Sequence, residues 1–268
     1  MDDKAQRSSW WGDTDIAHNE AVHWEIGPLS FWLHRGVAEW RIRHGWVEQQ
    51  HPSDWAFNRR SELPDDYLEA ERFAVQEAGE AVHLRPRVAD RAVVVRPKTS
   101  FWVQPATKTR IFISSPLWLE IATGSPATVL REYPTKRLSD TWFGSTTREG
   151  ELCYALKTNA RTLLENMPRP AYRMLTPVVI ENLDSRPLLV ERLSLPVPFL
   201  AVYGSQQGEA WSEEVHMVSA EEGDTAELDV RPGAPVEAGQ ASRLSEPRQE
   251  AERGHLFRAF GSLLGLEF

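Results

Sequence analysis

A mainly β protein, with a β-sandwich or jelly-roll-like body and a C-terminal amphipathic helix, is the fold class that the 268-residue sequence predicts. Three observations carry this expectation. Short runs alternate apolar and polar residues with period two, the pattern of half-buried strands. Eighteen prolines and 16 glycines break those runs into short pieces. Helix signals are few, and the strand–helix rhythm of a nucleotide-binding α/β fold is missing.

The N-terminal region shows the alternation best. In Val22-His23-Trp24-Glu25-Ile26, period two puts Val22, Trp24 and Ile26 on one face. Gly27-Pro28 ends the run. Residues 29–35 and 38–43 then read as a hairpin around Gly36, with Trp40 and Ile42 inward and Glu39, Arg41 and Arg43 outward. Further strands are expected over 91–96, 100–104, 109–114, 117–122, 151–158, 176–183, 188–195, 199–203, 214–219 and 226–230. Residues 182–187, Asn-Leu-Asp-Ser-Arg-Pro, form a turn between two apolar runs. A short helix is expected over 64–76, with Asp65 and Asp66 near its start, and a second over 161–166.

The composition changes after Ala220. Residues 220–268 hold ten acids and five basic residues. The expected organisation is therefore a body over 10–220, a flexible acidic linker over 221–244 and an amphipathic helix within 245–268. Leu256, Phe257, Phe260, Leu263 and Leu264 recur at helical spacing and would form the docking face of that helix.

Composition excludes several classes. The 41% hydrophobic and 26% charged shares are ordinary for a globular chain. A net charge of −9 disfavours phosphate backbones, so no nucleic-acid partner is expected. Two arginine groups, Arg35/Arg41/Arg43 and Arg85/Arg87/Arg91/Arg96, read as solvated strand faces paired with acids such as Glu25 and Glu39. The longest apolar stretch, 193–203, contains two prolines and is about half the ~20 residues of a membrane helix, so no integral span is expected. The polar N-terminus shows no signal-peptide pattern, and the single Cys153 fits a reducing compartment. The expected location is cytoplasmic.

Three further segments carry a resemblance. They are Ile26-Gly27-Pro28-Leu29-Ser30-Phe31-Trp32-Leu33 with Glu39-Trp40-Arg41-Ile42, Phe143-Gly144 leading to Gly150-Glu151-Leu152-Cys153, and Val178-x-Ile180-Glu181-Asn182 running into Leu195-Pro196. Together they resemble an uncharacterised prokaryotic domain-of-unknown-function family of about 250 residues, near the upper end of ordinary domain size. The resemblance covers roughly residues 20–220. It implies a β-rich soluble protein with no established activity, cofactor or catalytic residue. It also implies a link to a membrane channel, through neighbouring genes for membrane transport or mechanosensitive channels.

His23 and Glu25 share a strand face and are the candidates for a metal, but no multi-ligand signature surrounds them, and no cofactor is expected. The loop Gly144, Ser145, Thr146, Thr147, Arg148 and Gly150 could cradle an anion with backbone N–H groups, or simply close a hairpin. Cys153, on a strand after that loop, is expected to be buried. Seven of the 11 tryptophans fall in the first 55 residues; Trp24, Trp40 and Trp102 are expected inside, and Trp10, Trp11 and Trp55 exposed. No catalytic motif is found. The expected function is a non-enzymatic interaction or regulatory module that docks a protein partner or sister subunit through its C-terminal helix. The alternative is an enzyme or binding module acting on carbohydrate or small anionic ligands in a sandwich cleft.

Overall fold

The computed structural model describes residues 8–47, 54–60, 70–76, 78–144, 150–158, 160–219, 225–250 and 255–261. In chain order the first strands are β1 (Gly12–Asp15), β2 (Ala21–Ile26), β3 (Leu29–Arg35), β4 (Glu39–Trp46), β5 (Trp55–Arg60), β6 (Glu71–Ala74), β7 (Ala81–Arg87) and β8 (Val93–Pro97). They continue with β9 (Phe101–Val103), β10 (Thr107–Pro116), β11 (Trp118–Thr123), β12 (Thr128–Pro134), β13 (Ser139–Gly144), β14 (Gly150–Thr158), β15 (Arg173–Asn182) and β16 (Leu188–Val190). The last are β17 (Arg192–Leu195), β18 (Val202–Ser205), β19 (Ala210–Trp211), β20 (Glu214–Ser219), β21 (Thr225–Arg231), β22 (Ala241–Ser245), β23 (His255–Arg258) and β24 (Phe260–Gly261). Among the described residues there is no α-helix, only three short 3-10 turns.

Five sheets result. Their strand orders are β5-β2-β3-β4-β6, β1-β7-β11-β12, β13-β14-β8-β17-β24, the pair β16-β9, and β22-β18-β19-β15-β20-β21-β23 with β10 on β15. The first follows from period two. Val22, Trp24 and Ile26 of β2, Leu29, Phe31 and Leu33 of β3, and Trp40 and Ile42 of β4 are all buried, while their neighbours are half-exposed. Gly27, at φ +54, makes the β2–β3 turn. One apolar cluster runs from Trp10 to Phe260 and draws on every sheet.

β15 is the spine of the largest sheet. It is buried almost throughout, because β10 lies on one side of it and β19 and β20 on the other. Pro177 sits within this central strand, where proline is normally excluded. It is tolerated because the parallel pairing to β19 covers Met174 and Leu175, and that to β20 resumes at Val178. Opposite it, Phe112 turns its N–H to the Arg161 carbonyl at 2.8 Å, so no ladder bond is asked of the proline.

Several expectations are corrected. The C-terminal amphipathic helix is not formed: residues 241–245, 255–258 and 260–261 are strands β22, β23 and β24. Of its docking face, Leu256 and Phe257 pair with β21, Phe260 is buried, and Leu263 and Leu264 lie outside the described residues. The chain changes sheet at Ala259, which breaks the period-two rhythm and leaves apolar residues three to four apart. The stretch 221–244 contains β21, whose Ala226 and Leu228 are buried while its acids face outward. The strand expected over 226–230 is therefore formed, within a stretch whose composition by itself reads as linker. The expected helix over 64–76 gives a strand at 71–74, its first part lying outside the described residues, and that over 161–166 shrinks to the 3-10 turn at 164–166.

The tryptophans are partly reassigned. Trp24 and Trp40 are buried, as expected. Trp102 is 59% exposed. In the β9–β16 ribbon, Val103, Leu188 and Val190 face the core and leave Trp102 beside Leu189 on the outer side. Trp10 and Trp55 are buried and Trp11 is half-buried. Trp10 reaches the interior because its Nε1–H donates to the Ala171 carbonyl at 2.9 Å.

Candidate functional site

The 170–173 turn leads into β15 and is pinned from three sides. Trp10 donates to the Ala171 carbonyl, while the Leu117 N–H and the Thr135 hydroxyl both donate to the Tyr172 carbonyl at 3.0 Å. This fixes Arg173 at the strand's first position. Its Nε donates to the Ser114 hydroxyl at 2.8 Å and its Nη2 to the Ser114 carbonyl. Burial holds the Arg173 pKa below the ordinary arginine range, yet a guanidinium stays charged at neutral pH.

Arg173 and Ser114 form the floor of a cavity of about 250 Å³. Met167, Pro168, Pro170 and Tyr172 supply its apolar wall, and Lys98 and Lys157 its rim. Lys98 follows the end of β8, and Lys157 lies near the end of β14, its parallel neighbour. Three cations therefore converge on one concavity, although 59 residues separate Lys98 from Lys157 in the chain. No Asp, Glu, His or Cys lines it among the described residues. Neither lysine has an ion-pair partner among the described residues. Such a site can attract an anion and hydrogen-bond it. It contains no group suited to accept a proton from a substrate at neutral pH.

The residues singled out in the sequence lie elsewhere. His23 and Glu25 do share a face of β2, but the His23 Nε2 is 2.8 Å from the Ser30 hydroxyl and its ring stacks on Trp32 at 4.3 Å. Among the described residues no three His, Cys, Asp or Glu side chains gather as a metal set. Gly144 and Gly150 face each other as the last pair of the β13–β14 hairpin. Ser145, Thr146, Thr147 and Arg148 lie outside the described residues. Cys153 is buried against Val94 and Phe143. Burial, reinforced by Glu151, pushes its thiol up to about 12. The native thiol is accordingly expected to react with a disulfide reagent only as fast as the protein opens, and at once in denaturant. Stoichiometric labelling of the folded protein within seconds would contradict that.

The arginine groups are mostly paired. Arg41 and Arg72 share Glu39, Arg85 meets Asp13, Arg87 lies 3.6 Å from Glu120, and Arg91 lies 3.2 Å from Asp140. Arg96 has no such acid among the described residues.

Two other polar clusters brace the fold. Glu71 accepts from the Tyr133 hydroxyl at 2.9 Å and meets Arg131 and His44, tying β6 to β12 and β4. Burial lowers the His44 pKa, so its ring is neutral near pH 7. Buried Glu213 accepts from the Ala201 N–H at 2.7 Å and the Tyr203 hydroxyl at 3.1 Å. Neither cluster lines the cavity.

Among the described residues no helix is long and apolar enough to cross a membrane. No curated protein and no solved structure matches the chain. The model of one family matches residues 10–265, extending past the 20–220 span of the sequence resemblance at both ends. That family is described as a protein of unknown function (DUF432), and this chain belongs to it.

Proposed function

We propose that this chain is a non-enzymatic cytoplasmic binding module for a small anionic ligand, held in the cavity between β8, β14 and the start of β15. The observation that carries the reading is the convergence of Lys98, Lys157 and Arg173 on one concavity whose described lining has no acid. Lys98 and Lys157 are exposed and no acid lines the cavity among the described residues, so the three cations are open to a ligand rather than engaged by carboxylates. Arg173 is held in place by Ser114 and offers a preorganised donor, whereas the two lysines adapt to the ligand's shape. The size of the cavity suits a phosphate-, sulfate- or carboxylate-bearing small molecule.

Isothermal titration of the full chain with inorganic phosphate tests this. Saturable binding to one site is expected, weakening with added salt. Lys98→Ala or Lys157→Ala each removes a charged hydrogen bond worth roughly 1.5–3 kcal/mol, a loss of at least about tenfold in affinity. Phosphate heats no different from dilution, or affinities indifferent to both substitutions, would overturn the reading.

A further inference from the structure

The cavity is not the end of the positive charge. Lys157 lies directly beside Arg96 in the parallel β8–β14 register. On the other side of β8, the antiparallel register runs from Leu195↔Val93 to Leu193↔Val95, and its next step sets Arg192 opposite Arg96. Arg192, Arg96 and Lys157 thus form one row across three adjacent strands, on the sheet face that also carries Val94 and Cys153.

Like charges at directly opposed positions repel, and a sheet normally avoids them. Here none of the three has an acid partner among the described residues. Among the described residues, the Nε atoms of both Arg96 and Arg192 are buried without a hydrogen-bond partner. Arg192 is held by the Phe143 ring, 5.1 Å from its guanidinium carbon, and by donating to the Trp142 carbonyl at 3.0 Å. Its pKa is lowered by burial and then by the charge of Arg96.

We infer that the row and the cavity together form one elongated anion track, and that the ligand is a linear small molecule carrying several phosphate groups. This rests on the anion-binding reading of the cavity. The row spans two interstrand gaps, roughly 10 Å, more than one phosphate covers. Lys157 belongs to both halves, so a terminal phosphate in the cavity places the next groups over Arg96 and Arg192. Two arginines at neighbouring register positions offer guanidinium donors to non-bridging phosphate oxygens, which accept bidentate hydrogen bonds. The ligand converts their repulsion into shared attraction.

The test compares inorganic tripolyphosphate with inorganic phosphate by isothermal titration of the full chain at matched ionic strength. Tripolyphosphate is expected to bind the wild type at least tenfold tighter. Arg96→Gln should remove that advantage and leave phosphate affinity within twofold, since Arg96 does not line the cavity. Arg192→Gln is the second variant, with the same expected outcome. Thermal unfolding of the unliganded variants checks folding, and relief of the row's repulsion should leave the Arg96→Gln melting temperature at or above that of the wild type. If phosphate binds but tripolyphosphate binds no tighter, or if its advantage survives both substitutions, the track is wrong while the cavity reading stands. If phosphate itself fails to bind, the cavity reading falls, and the track with it.

Discussion

Gly27→Ala is expected to destabilise the protein by about 3 kcal/mol, combining strain at a left-handed residue with overpacking. Gly27 sits at φ +54, where an alanine methyl is strained. A Cβ built there lies 2.4 Å from the Tyr172 ring, with two further ring carbons within 2.8 Å. Tyr172 cannot swing away cheaply, because the turn that carries it is pinned by Trp10, Leu117 and Thr135. It is also a wall of the anion cavity. The substitution should therefore weaken phosphate binding as well as stability, although Gly27 touches no ligand. Urea unfolding and titration on the same sample check both effects. Gly45→Ala is the control: it has open space around its Cβ and no positive φ, and should change stability by less than about 1 kcal/mol. Equal effects at the two glycines would show that the turn does not depend on the close approach of Tyr172.

Trp24→Ala should cost about 3–5 kcal/mol, the range for deleting a large buried aromatic. Trp24 is completely buried, stacked on Phe31 at 5.1 Å and tilted against Phe57 at 4.8 Å. Those three rings come from adjacent strands of the first sheet, so removing the indole takes away a packing partner of both phenylalanines. The Trp24 Nε1 has no hydrogen-bond partner among the described residues, an existing penalty that Trp24→Phe would relieve. The phenylalanine variant should thus lose much less stability than the alanine one. Trp102→Ala, at an exposed position, should stay within about 1 kcal/mol of the wild type. Denaturant midpoints of the three variants check the ranking. A Trp102 variant as damaged as the Trp24 one would contradict the assignment of inner and outer faces.

Part of this architecture is legible in the residues. Val22, Trp24, Ile26, Trp40 and Ile42 betray their strands because each faces one core while its neighbours face water. Pro177 shows where local pattern falls short: its place in a central strand depends on a gap between two partners that only tertiary pairing creates. β21 was legible as well: period two over 226–230 predicts it, and only the acid-rich composition around it reads as linker. At Ala259 the chain passes from one sheet to another, and the resulting spacing imitates a helix.

The candidate site was less legible still. Arg96 belonged to a noticed arginine group, but its lack of an acid appears only when Arg85, Arg87 and Arg91 are seen to have theirs. Lys98, Lys157 and Arg173 carry no motif; the β8–β14 pairing and the placing of the start of β15, in another sheet, beside it bring them together, not sequence proximity. The one local hint is Arg96-Pro97-Lys98 at the end of an apolar strand. The β8–β14 ladder ends at that proline, and the following lysine, just past the strand's end, lines the cavity.

The most direct measurement is a crystal of the chain soaked in selenate, a tetrahedral dianion located by its anomalous signal. The account predicts one dominant selenium peak among the Lys98, Lys157 and Arg173 side chains, within hydrogen-bonding reach of the Arg173 guanidinium. Crystals that diffract well and show the strongest peak elsewhere, or none in that cavity, would contradict it.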